Sequence, residues 1–178
     1  MNVIDQIKTF NAGRDPERLL LKYKKMRASP FGFLRATCHL FYDRLPAGGV
    51  FKSAPPVWIC GDLHPENFGS YKGGNRLAYF DLNDFDESAL APASWDLVRM
   101  LAGLQVGAPS LGLRKEQALG LCRIFLKSYA QALASGKAMW IESETSSGII
   151  QELLLSLRER ERGEFLDTRT TLKRRRRV

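Results

Sequence analysis

Four apolar residues, Val57-Trp58-Ile59-Cys60, stand between Pro55-Pro56 and Gly61. The prolines forbid a continuous helix across this point, and the run is too short to make one alone. The sequence therefore predicts a buried strand here. A second strand is expected at Leu77-Ala78-Tyr79-Phe80, after the turn-forming Lys72-Gly73-Gly74-Asn75. Between the two runs the chain is polar and turns sharply, and it holds Asp62, His64, Pro65 and Asn67. Strand, loop, turn and strand form the local layout, with carboxylate-rich stretches at its ends.

Helical patterning surrounds this island. Asp15-Pro16 has the form of an N-cap followed by proline at the first helical position, so the first helix is expected there, running through Leu19, Leu20, Tyr23 and Met26. Ser29-Pro30 ends it. A second helix is expected from 31 to about 44, with Phe33, Leu34, Cys38, Phe41 and Tyr42 as its buried face. Pro46-Ala47-Gly48-Gly49 then reads as a loop. Beyond Pro92, a 3.6-residue period through Trp95, Leu97, Val98, Leu101, Ala102, Leu104 and Gln105 predicts a helix with Ser94 as its N-cap. Longer helical segments are expected at about 114–133, with Ala118, Leu121, Cys122, Phe125, Tyr129 and Leu133 on one face, and at about 147–163. From 163 onward no regular element is assigned. The expected class is α+β and mostly helical, with a small β-hairpin carrying the polar loops.

The 178 residues suffice for one ordinary domain, expected over 1–165, followed by a basic and disordered tail over 166–178. A composition of 44% hydrophobic and 26% charged residues is that of an ordered globular protein. No apolar run approaches the roughly 20 residues of a membrane span, and the first residues lack the pattern of a signal peptide. No membrane is expected as a partner, and the default compartment is the cytoplasm. Lys173 and the four arginines after it carry five of the eight net positive charges, leaving +3 for the rest. That distribution gives little support to nucleic acid as a partner. Three widely spaced cysteines make neither a disulfide framework nor a regular zinc pattern, and a zinc site from Cys38, His39, Cys60 and His64 would have irregular spacing. Buried free thiols are the expectation.

Asp62 and Asn67 stand five positions apart, stiffened by Pro65 between them. Phosphotransferases use this spacing to hold an aspartate that takes the proton of an attacking hydroxyl beside an asparagine carbonyl that coordinates magnesium. A second acidic group follows in Phe80-Asp81-Leu82-Asn83-Asp84-Phe85-Asp86-Glu87. The segment Cys60-Gly61-Asp62-Leu63-His64-Pro65-Glu66-Asn67 resembles the H-G-D-L-H-P-x-N loop of aminoglycoside and choline kinases. Asp84-Phe85-Asp86 and Trp95-Asp96-Leu97 are similar to their magnesium loop and to the helix start that follows. The resemblance implies Asp62 as base and Asn67 as magnesium ligand. The main magnesium carboxylate is then Asp84, favoured narrowly by its distance to Asp96, or Asp81, favoured by its distance to Asn67. Asp96 would brace the loop by accepting from backbone amides. His64 would shape the loop by hydrogen bonding, and Arg35 would touch a phosphate or pair with a local carboxylate.

A longer similarity runs to a bacterial family catalogued as domain of unknown function 2252. Lys22-Tyr23-Lys24-Lys25-Met26, Ser29-Pro30-Phe31-Gly32-Phe33-Leu34-Arg35, and the stretches 61–69 and 81–87 resemble its signature segments, over about 18–173. That family is regarded as kinase-like, which implies the C-terminal, catalytic lobe of the protein-kinase fold, ATP and Mg as cofactors, and a small-molecule or otherwise unknown phosphate acceptor. Two positions depart from the pattern: Cys60 stands where many such loops have histidine, and Ala36 where the family usually has glycine. No G-x-G-x-x-G occurs in the chain. Members of the family are much longer, and their glycine-rich and lysine-bearing segments follow the part matched here. The chain is thus expected to be truncated on its C-terminal side and its site incomplete. The alternative is a non-catalytic, degenerate kinase-like module that associates with itself or with a complementing chain.

Overall fold

The computed structural model describes residues 2–173 and 176–177, with side chains through 171. The expected tail over 166–178 therefore falls partly outside the described residues, at 174, 175 and 178. The protein is α+β and mostly helical, and its strands form antiparallel pairs. It divides into two compact units, the first comprising the chain up to Asn67 together with Asp84–Lys137, the second Phe68–Asn83 together with the chain from Ala138 onward. Among the described residues no helix is long and apolar enough to cross a membrane.

The first unit begins with a helix the sequence pattern did not reveal, α1 (Val3–Phe10). Eight residues are too few to hold a helix in isolation. Asn2 caps it by accepting from the Asp5 amide at 2.9 Å, and Ile7 packs with Met26 and Leu40 in a small core against Tyr23 and Ala36. The helix α2 (Pro16–Ala28) starts where the Asp15-Pro16 signal placed it, with Asp15 accepting from the Arg18 amide at 2.8 Å. The single helix expected over 31–44 is two, α3 (Pro30–Ala36) and α4 (Cys38–Tyr42). Thr37 leaves helical geometry between them at φ −126°, ψ 41°, and its hydroxyl donates back to the Phe33 carbonyl at 2.7 Å. A short helix, α5 (Val50–Ser53), follows the glycine loop.

The strand β1 (Pro56–Ile59) forms, but the expectation of a buried strand is corrected: Val57 and Trp58 are exposed, Trp58 by 79%, and burial begins only at Ile59. Its partner is β4 (Ala89–Pro92), in the register Trp58↔Leu90 and Ile59↔Ala89. The helix α6 (Ser94–Gly107) begins one position earlier than an N-cap at Ser94 would require. The Ser94 hydroxyl donates to the Val50 carbonyl at 2.7 Å, and the Trp95 indole donates to the Phe51 carbonyl at 3.1 Å. Both side chains thus tie the start of α6 to α5. The helix α7 (Lys115–Ser135) packs on α6 through Ala118 and Cys122, whereas Leu121 and Leu133 of its expected buried face are 38% and 64% exposed. All three cysteines are free and buried.

The second unit is built on the hairpin of β2 (Phe68–Lys72) and β3 (Ala78–Leu82), registered Phe68↔Leu82 through Lys72↔Ala78. The polar loop expected between the two apolar runs therefore contains a strand, β2, which pairs with the predicted second strand. Packed against β3 is α8 (Gly148–Ser156), whose Leu154 is 1% exposed. The element expected to reach 163 stops at Ser156, and a separate α9 (Arg162–Arg169) follows. The described chain ends in two short paired strands, β5 (Leu172–Lys173) and β6 (Arg176–Arg177).

Candidate functional site

The backbone leaving β1 is held on both the amide and the carbonyl side of Gly61. The Cys60 and Gly61 amides donate to the two oxygens of Asp96, at 2.7 and 3.1 Å. Asp96 lies in the first turn of α6, where a carboxylate is also favoured by the helix dipole. The Gly61 carbonyl accepts from the Cys38 thiol at 3.2 Å and from the Tyr42 hydroxyl, both from α4. Burial, then the neighbouring Asp62, pushes the Cys38 thiol up to about 12, and burial first also raises the Tyr42 phenol, so both remain donors at ordinary pH. The Cys60 thiol, pushed up to about 11 by burial and then Asp96, donates to the Asp84 carbonyl at 3.0 Å.

Gly61 adopts φ +89°, and a Cβ placed on it would lie 1.9 Å from the Glu87 carbonyl oxygen. Only glycine fits, on conformational and on steric grounds. The chain can therefore turn sharply at Gly61 and present the next residue, Asp62, at the loop's start.

Asp62 is one-fifth exposed and meets Arg99, a fully buried side chain of α6. The Arg99 guanidinium donates to Asp62 Oδ1 from Nε at 2.9 Å and from Nη2 at 2.5 Å, and Nη2 also reaches the Leu34 carbonyl at 2.7 Å. The Phe41 ring lies under the guanidinium at 4.8 Å. Burial raises the Asp62 carboxyl above its ordinary value, and the arginine opposes that without cancelling it. Asp62 Oδ2 stands 3.9 Å from His64 Nε2, beyond hydrogen-bond range.

His64 is buried and its ring is contacted on both nitrogens: Arg35 Nε donates to Nε2 at 3.0 Å, and the Glu66 amide donates to Nδ1 at 3.2 Å. A neutral imidazole has one acceptor nitrogen, so a given tautomer satisfies one of these donors. Burial, then Arg35 and Arg99, brings its pKa down to about 4. Arg35 is itself half-exposed and pairs with Glu66 through Nη1. Pro65–Asn67 close the loop as a 3-10 turn, packed below on Gly103 of α6, where an added Cβ would lie 3.2 Å from the proline ring.

At the end of that turn, Asn67 is 4% exposed, and neither its Oδ1 nor its Nδ2 has a partner among the described residues. Asp84 belongs to the same unit as Asp62 and Asn67. It is exposed, its Oδ1 accepts from the Asp86 amide at 3.4 Å, and its charge acts on both Cys60 and His64. Asp81 belongs to the second unit, on β3 opposite Gly69, with Oδ1 accepting from the Leu82 amide at 2.8 Å. Among the described residues no three His, Cys, Asp or Glu side chains are grouped to hold a metal ion. Asp62, Glu66 and Asn67 are the hard oxygen donors of the loop itself, and Asp84 lies in the same unit.

Arg99 was not singled out by sequence, and Cys38 and Tyr42 were read as buried-face residues (Cys38 also as an irregularly spaced zinc candidate), not as braces of the loop. For Arg99 a signal existed: it is a lone charge inside Leu97-Val98-Arg99-Met100-Leu101, one turn after Asp96, and a charge so placed needs a buried partner. Tyr42 and Cys38 offered no such sign, because their acceptor lies 19 and 23 residues away.

No curated protein and no solved structure matches the chain. A family sequence model matches it over residues 14–178, which include the whole loop and its braces, and the chain belongs to that family, described as an uncharacterized protein conserved in bacteria (DUF2252).

Proposed function

We infer that the loop from Gly61 to Asn67 is the phosphate-and-magnesium part of a kinase-like phosphotransfer site, incomplete in this chain, with ATP as donor and an acceptor hydroxyl of unassigned identity. The observation that carries this reading is Asn67. A primary amide buried with all its hydrogen-bonding capacity unused costs on the order of 1–3 kcal/mol. A ligand that takes its carbonyl oxygen relieves part of that cost, and a hard divalent cation is a ligand that an amide oxygen accepts. Asn67 and Asp84 would hold magnesium. Bound there, the metal would neutralise charge on the phosphate oxygens.

Asp62 supplies the proton acceptor. Its Oδ1 is taken by Arg99, Oδ2 lies 3.9 Å from His64 Nε2, and its raised pKa makes it a better base than an ordinary carboxylate. The acceptor oxygen would form its bond to the terminal phosphorus as the bond to the leaving oxygen breaks, and its proton would pass to Asp62 Oδ2. Asp96, Tyr42 and Cys38 fix the peptide that positions Asp62, and Arg35 presents a half-exposed guanidinium beside it.

One observation favours the second reading, a degenerate module that binds without catalysis. The Arg99 contact, two donors on the single oxygen Oδ1, is also what a purely structural buried ion pair looks like. Calorimetry with magnesium and ATP separates the two. The wild-type chain is expected to bind, with Asp84→Ala and Asn67→Ala each weakening affinity about tenfold or more, as loss of one charge-assisted ligand implies. Isotherms identical across the three proteins would remove the phosphotransfer reading and leave the module.

A further inference from the structure

We propose that the second unit has its own binding site for a small molecule carrying linked phosphates, in the cavity between the β2–β3 hairpin, α8 and the start of α9. The inference does not depend on the phosphotransfer reading, which concerns residues of the first unit.

The cavity measures about 780 Å³, within the range that holds a nucleotide-sized ligand. Its lining includes five cationic side chains, Lys72, Arg76, Arg158, Arg160 and Arg162, against two carboxylates, Glu142 and Glu144. Glu144 is already occupied. The Ser143 hydroxyl donates to its Oε2 at 2.7 Å and Arg158 donates to its Oε1, and these two hydrogen bonds lower its pKa. Arg160 lies over the Phe165 ring at 5.1 Å. Lys72, Arg76 and Arg162 have no carboxylate partner among the described residues. The cavity therefore holds a surplus of positive charge in a concave place, where fields from several side chains add. Arginine's planar fork matches phosphate oxygens two at a time, and three of the five come from one short stretch, 158–162.

A second observation points the same way. Arg76 stands in the hairpin turn at φ +68°, the only left-handed non-glycine residue described. Its amide donates to the Gly73 carbonyl at 2.9 Å, and the Gly73 amide to the Leu77 carbonyl at 2.9 Å, so the turn holds Arg76 in that conformation. Glycine would fit there without strain, and the sequence uses glycine at 73 and 74 in the same turn. A strained arginine at the rim of a cationic cavity is explained by what its side chain does there. A small molecule suits the site better than a nucleic-acid strand. Single strands are gripped by stacking on free aromatic faces, whereas of the two aromatic rings in the lining Phe165 already carries Arg160 and, at 5.6 Å, Arg169, and Tyr71 stacks on Tyr79.

The test is calorimetric titration of the full chain with sodium tripolyphosphate in EDTA, which excludes any magnesium-dependent site. Saturable binding is expected, weakening steadily as salt is raised. Arg76→Gly should weaken it about tenfold while raising Tm by about 2–4 °C, because it removes a phosphate contact and relieves a strained φ. A purely structural role for Arg76 would raise Tm and leave binding unchanged, and that result would overturn the proposal. Arg162→Ala, on an exposed helix start, should also weaken binding. Absence of saturable binding, or saturable binding to a short single-stranded RNA but not to tripolyphosphate, would overturn it as well.

Discussion

Each unit pairs an arginine with a carboxylate, and the two pairs differ in everything but chemistry. Arg99 is fully buried and Asp62 only 21% exposed, while Arg158 and Glu144 are 53% and 63% exposed. Around Arg99 the structure over-determines position: the Leu34 carbonyl, the Phe41 ring and the Asp62 carboxylate each fix one aspect of the guanidinium. Around Arg158, among the described residues, the one further hydrogen-bond partner is the Ser143 hydroxyl. A buried pair has forfeited hydration on both charges, so removal of one partner strands the other. An exposed pair exchanges one well-solvated state for another. The first unit thus uses charge to fix a loop, and the second keeps charge available at a surface.

The sharpest way to break that contrast is Arg99→Met. It leaves Asp62 buried without its partner and should cost about 3–5 kcal/mol in a urea melt. The double variant Asp62→Asn/Arg99→Met should recover much of the loss, since the stranded charge is gone. A small cost for the single variant would mean that Asp62 is far better hydrated than its surroundings imply.

Next in size is the acid response of the first unit. His64 has its folded pKa lowered from 6.5 to about 4, so the stability linked to its neutral form is fully present above pH 6.5 and is lost as pH falls through 4. The total is about 3 kcal/mol, and most of it should disappear between pH 6.5 and 4 in melts followed across that range. Asp62 runs the other way: its raised pKa contributes stability at low pH that fades as pH rises past its folded value, so it partly offsets the acid loss. His64→Gln should flatten the slope between pH 4 and 6.5. An unchanged slope would place the acid sensitivity elsewhere.

The smallest effect belongs to the exposed pair. Arg158→Ala should leave the urea midpoint within experimental error, and raising salt to about 0.5 M should not separate variant from wild type. A clear loss of stability would show that this charge is buried more deeply than its exposure indicates.

Where local chemistry sufficed, the chain could be read directly. Asp15-Pro16 starts α2 because the cap and the fixed φ of proline act within one turn. The spacing of Asp62, His64 and Asn67 marked the loop, and Asp96 stood out as the acid opening the next helix. The pairing of strands was not readable. Both the β1–β4 ribbon and the β2–β3 hairpin depend on which segments meet, and Phe68-Gly69-Ser70-Tyr71-Lys72 has no alternation to mark it as a strand. The break at Thr37 was hidden for the same reason, because the apolar period runs through it.

By itself, then, the sequence determined the fold class, the start of α2 at Asp15-Pro16, and the residues of the loop between Gly61 and Asn67. Those follow from forces that act over a few residues: capping, periodicity and turn chemistry. Tertiary structure alone decided what surrounds that loop. It brought Arg99 to Asp62 across 37 positions, set Tyr42 and Cys38 on the Gly61 carbonyl, and left both polar atoms of Asn67 buried and unpaired. Burial is a property of the whole packed chain, and it is burial that raises Asp62, neutralises His64 and makes the unpaired amide of Asn67 costly.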